Sequence, residues 1–75
     1  MNIERLVQMA NDIANYFAVE PEHAEAVSGV ANHIRRFWDP SMRRQLLDHA
    51  RDGGEGLSDL ALAAVRQLGG ATHVT

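Results

Sequence analysis

The side chains that do chemistry most readily are scarce in this 75-residue chain. There is no cysteine, which excludes a thiol nucleophile, a disulfide, a Cys-ligated zinc and an iron–sulfur cluster. All seven basic residues are arginine, so Schiff-base chemistry and the lysine of a phosphate-binding loop are also absent. The four histidines are His23, His33, His49 and His73. None pairs at i,i+3 or i,i+4, the spacings that set two metal ligands on one helix face; only folding across Asp39-Pro40 would bring His33 to His49. Surface or capping roles are therefore expected for them. Ser28, Ser41 and Ser58 lack the surroundings of a nucleophile elbow. The carboxylates gather at expected helix starts, where they offset the helix dipole rather than form an acid–base pair. The turn Gly53-Gly54-Glu55-Gly56 has no GK[ST] after it and contains an acid, so it reads as a helix stop and not as a phosphate cradle. Neither a stand-alone enzyme nor a bound metal, flavin or pterin is expected.

Four helical segments account for the rest of the pattern. In the first, Ile3, Leu6, Val7, Ala10, Ile13, Ala14 and Phe17 form one apolar stripe, with Asn2 as N-cap. Glu20-Pro21 is expected to start the second, with Pro21 at N1 and Glu22 and Glu25 in the first turn. Its stripe is Val27, Val30, Ala31, Ile34 and Trp38, with Phe37 at the edge and Arg35 and Arg36 in the last turn. Gly29, in mid-helix, costs about 1 kcal/mol against alanine, either to admit another backbone or as a tolerated weakness. Asp39 as N-cap and Pro40 at N1 open the third helix, whose face is Met42, Leu46, Leu47 and Ala50. Ser58 caps a short fourth helix with the stripe Leu60, Ala61, Ala64, Val65 and Leu68, and Leu57 staples to Leu62. Gly69-Gly70 is expected to end it. The expectation is an all-α fold: a small bundle of three main helices plus a short C-terminal fourth. One helical domain covers 1–70, and 71–75 form a flexible tail.

A core this small, with no covalent staple, calls for tight helix packing or a partner. The longest apolar run, Leu60 to Val65, is far too short to span a bilayer. The first residues alternate in polarity and carry Glu4, unlike a signal peptide, so a cytoplasmic location is expected.

Formal net charge is −3, unevenly spread: −4 over 1–34, +3 over 35–51 and −2 over 52–75. An acidic total argues against generic nucleic-acid binding. The basic centre includes HIRRFWDPSMRRQLL, residues 33–47, which gathers the sole tryptophan, a phenylalanine and four arginines around a helix–Pro–helix corner. Tryptophan and arginine dominate interface hot spots, so Arg35, Arg36, Phe37, Trp38, Arg43 and Arg44 are the expected partner-binding residues. Trp38 also lies near the stripe centre and reads first as the core's largest member, though both can hold, since tryptophan is rarely buried completely. Met9 and Tyr16 sit on a flank of the first helix, either as a second docking surface or as ordinary exposed apolar residues.

Three stretches carry a resemblance: LVQMANDIANYFA at 6–18, HIRRFWDP followed by Met42 and Arg43, and GGEGL at 53–57. In this order and spacing they resemble the delta subunit of soluble NAD-dependent, molybdenum- or tungsten-containing formate dehydrogenase. Ser41 departs from the basic residue usual after Asp-Pro in that family, and the tail from Gly69 has no counterpart. The resemblance implies a small cytosolic accessory subunit beside larger chains that hold the pterin centre, the iron–sulfur clusters, FMN and the NAD site. It supplies no catalytic residues. Its partner would be the catalytic (alpha) subunit, which it would stabilise or help assemble, and the isolated chain would be marginal or form a homo-oligomer. A dissociable maturation chaperone and a small helical nucleic-acid-binding module are the alternatives.

Overall fold

The computed structural model describes residues 2–70; the expected flexible tail, 71–75, lies outside them. Four helices follow one another: α1 (Ile3–Phe17), α2 (His23–Phe37), α3 (Pro40–Arg51) and α4 (Asp59–Gly70). No strand is present among the described residues. Each helix turns one apolar face inward, and α4 is as long as α3. It packs against all three others and forms the most extensive pair with α2. By contrast α2 and α3, although joined by a tight corner, hardly touch.

Among the described residues, seven of the fifteen buried apolar side chains are alanine: Ala10, Ala14, Ala26, Ala31, Ala50, Ala61 and Ala64. Side chains at a contact set how far apart two helices lie, so alanine seams draw these backbones together. Leu6, Val30, Ile34, Leu46 and Val65 fill what remains. No polar or charged residue is buried among the described residues.

Local signals explain most helix ends. The Asn2 side chain accepts the Glu4 N–H at 2.7 Å and opens α1. Asp39 accepts the Met42 N–H at 2.9 Å, with Pro40 in the first helical position of α3. Ser58 Oγ accepts the Ala61 N–H at 3.2 Å and opens α4. Leu57 and Leu62, the expected staple, converge over Gly54. At the end of α3, Gly54 N–H donates to His49 O at 2.9 Å and Gly53 N–H to Ala50 O at 3.2 Å. These are the two bonds of a Schellman motif, and Gly53 supplies the positive φ (113°) it requires.

Two expected ends move. Helix α2 starts at His23, not at Pro21, and Glu22 is an N-cap without a side-chain bond. Residues 18–22 are taken up in reversing the chain, so Pro21 falls in the turn and only Glu25 remains in the first helical turn. At the other end α4 continues through Gly69 and Gly70. A Cβ on Gly69 would lie 3.1 Å from Leu47 Cδ2, so that glycine lets α4 pass close to α3.

Gly29 has a definite packing role. A Cβ there would lie 2.6 Å from Cδ1 and 2.7 Å from Cε1 of Phe17, so the close neighbour is an aromatic ring and not another backbone. Helix propensity alone favours Gly29→Ala by about 1 kcal/mol. Overpacking against a ring costs about 2 kcal/mol. The expected result is a net loss of about 1 kcal/mol in urea denaturation, and a stabilised variant would show that the ring moves aside freely.

The Asn11 side chain ties α1 to the start of α4. Its Nδ2 donates to Gly56 O at 2.9 Å, and its Oδ1 accepts the Ser58 N–H at 2.9 Å. Asn11→Ala should cost about 1–2 kcal/mol for the two bonds. Asn11→Asp, which keeps only the acceptor, should lose about half of that. Hydrogen exchange at the Ser58 amide checks the assignment independently, since it should accelerate in the alanine variant.

Candidate functional site

The surface builds from the ends of α1 and α2. Phe17, in the last turn of α1, lies over Gly29, and this brings it to the edge of α2. His33 and Phe37 are four apart on α2 and so share one face. The result is a continuous aromatic strip. Tyr16 meets Phe17 edge-on with centroids 5.2 Å apart, Phe17 meets His33 at 6.4 Å, and His33 meets Phe37 at 4.8 Å. Beyond it the Arg36 guanidinium stands over the Phe37 ring, 5.8 Å from its centroid. Tyr16 is 75% exposed, Phe37 69% and nearby Val19 83%. Between the helices the strip borders an open, mostly apolar groove of ≈ 540 Å³, lined by Asp12, Ile13, Tyr16, Phe17, His33 and Phe37.

The expected partner-binding residues divide by position. Tyr16, Arg36 and Phe37 lie together on this surface. Arg44 is exposed, and neither it nor Arg36 has a carboxylate partner among the described residues, where the ion pair found is Arg51–Asp48. Arg35 is exposed and donates to Asn32 Oδ1 at 2.7 Å. Met9 is half-buried against the core. Trp38 is 6% exposed and belongs to the core, so it offers a partner little area. Arg43 turns back into the corner, donating to Arg35 O at 2.8 Å and to Trp38 O at 3.2 Å. There it satisfies two orphan carbonyls at the end of α2 and offsets the negative end of its dipole.

Sequence reasoning did not foresee the parts played by Phe17, His33 and Asp12. The i,i+4 spacing of His33 and Phe37 was a usable signal. The crossing of α1 that sets Phe17 against Gly29 and His33 was not. His49, the other histidine considered for a metal, has its Nε2 2.7 Å from Glu55 O, so it shares no partner with His33. No group of three or more His, Asp or Glu converges as a metal site among the described residues, and no described helix is long and apolar enough to cross a membrane. The arrangement offers apolar area edged by the Arg36 guanidinium. That is the chemistry of a binding face, since Arg pairs with carboxylates in a bidentate way and aromatic rings bury large areas.

Neither a curated protein nor a solved structure matches the chain. A family model does, over residues 5–65, a span that includes all of the strip and the three connections between helices. The chain belongs to the family of the NADH-dependent formate dehydrogenase delta subunit, FdsD.

Proposed function

We propose that this delta subunit is a non-catalytic accessory chain that docks on the catalytic subunit of a cytoplasmic NADH-dependent formate dehydrogenase and holds it in its assembled form. The observation that carries this reading is the exposed strip of Tyr16 and Phe37 edged by Arg36, in a chain whose core is otherwise closed. Exposed aromatic rings beside a guanidinium with no counter-ion among the described residues are what a hot spot looks like before its partner arrives. The oxidation of formate, with its redox centres, is then the work of the larger chains. This chain contributes area and donors, and the partner covers apolar surface that the small bundle cannot bury alone.

Affinity purification of the catalytic subunit tests the role. An accessory subunit is retained in fixed stoichiometry with the cofactor-loaded complex, whereas a maturation chaperone is enriched on the apo form and lost from the holoenzyme. The surface is tested by Arg36→Glu with Arg44→Glu. Both side chains are exposed, so the melting temperature should stay at the wild-type value. Capture of the catalytic subunit should weaken by about thirty-fold, the equivalent of about 2 kcal/mol. Arg43→Glu is the contrasting variant: it breaks the clamp on the α2 carbonyls and should lower the melting temperature. Wild-type capture by the Arg36/Arg44 double variant would move the interface away from both arginines.

A further inference from the structure

The strip has a shape and a charge pattern that complement themselves. Tyr16 stands as an exposed knob between two concavities: the ≈ 540 Å³ groove between α1 and α2, and a second of ≈ 500 Å³ that it shares with Asn15, Phe17, Val19 and Glu20. The polar rim is divided by helix. Asp12 on α1 lines the first groove and Glu20, just after α1, lines the second, whereas the α2 side carries Arg36 over Phe37. Neither Asp12 nor Arg36 has an ion-pair partner among the described residues. A two-fold axis through the aromatic centre turns the acidic α1 edge of one copy onto the basic α2 edge of another. It also carries each knob towards the other copy's groove. An isologous contact needs this self-complementarity, since residue i meets j while j meets i.

We propose that the free chain forms a two-fold dimer through this face, with Tyr16 of each copy seated in the α1/α2 groove of the other and Asp12 facing the other copy's Arg36. The apolar centre is three exposed side chains, Tyr16, Val19 and Phe37. That is a small patch, so the dimer belongs to the weak end of specific interfaces and dissociates on dilution. If the same face receives the catalytic subunit, which rests on the reading given above, dimer and complex exclude each other. Dimerisation then shields the rings of the unassembled chain until the larger partner displaces the second copy.

The test uses the full chain alone, so its outcome is independent of the catalytic subunit. Sedimentation equilibrium over concentrations up to about 1 mM should show the mass rising from monomer to dimer. Asp12→Arg alone and Arg36→Glu alone should each stay monomeric where the wild type is dimeric, because each sets like charges face to face at both ends of the axis. Both positions are exposed, and circular dichroism should confirm unchanged helicity. Mixed one to one, the two variants should recover the dimer, since every facing pair is again opposite in sign. A wild-type chain that stays monomeric throughout overturns the proposal. So do single variants that dimerise like the wild type, or a mixture that stays monomeric. A monomeric wild type whose capture by the catalytic subunit is lost in the same variants would assign the face to that subunit and overturn the dimer.

Discussion

Four short helices close on one another across alanine, and the rest of the molecule follows from that constraint. Ala10 and Ala14 on α1, Ala26 and Ala31 on α2, Ala50 on α3, and Ala61 and Ala64 on α4 are all buried. A seam of methyl groups brings backbones near but leaves no space for a ring. Tyr16 and Phe37 are accordingly left exposed at the periphery, and Phe17 finds a place against the core only where Gly29 has no side chain. Trp38 is the exception, because α2 has ended there: its backbone is extended and the corner leaves room for an indole. Close packing also limits how much apolar area each residue takes out of water, since alanine has little to bury. Tight helix approach and an unsatisfied aromatic edge are two consequences of one choice of side chain.

Two small devices hold the seam in register. At one end of α3, Asp39 caps the helix while Arg43 reaches back to the carbonyls of Arg35 and Trp38. At the other, the Schellman turn hands the chain to a glycine-rich loop that Asn11 ties to α1. Several residues in the stretches that carry the resemblance therefore have internal work. Asn11, Trp38, Asp39, Arg43 and Gly54 are occupied in closing the fold. Tyr16, Arg36 and Phe37, from the same stretches, are not. Those three side chains are left exposed on the strip.

How much was legible beforehand depended on the range of the interaction. Caps at Asn2, Asp39 and Ser58, the stop at Gly53-Gly54 and all four apolar stripes are short-range features, written within a turn or two of the residues they govern. The late start of α2 and the passage of α4 through Gly69-Gly70 were misread for the same reason. The first depends on how many residues the chain needs to reverse after α1, and the second on the neighbouring Leu47, neither of which is local to the signal.

The sequence by itself determined the helical class, most helix boundaries, the family, and the concentration of arginine and aromatic residues near the middle of the chain. Those depend on periodicity, caps and composition, all properties of neighbours along the chain. Tertiary structure alone decided which of these residues stay on the surface and which are buried. It buried Trp38, spent Arg43 on the corner, packed α1 and α4 each against all three other helices, and joined Tyr16 to Phe37 through Phe17 and His33. That union required α1 to cross α2 where Gly29 has no side chain. A crossing of that kind is set by the packing of two surfaces, which no spacing along a single helix records.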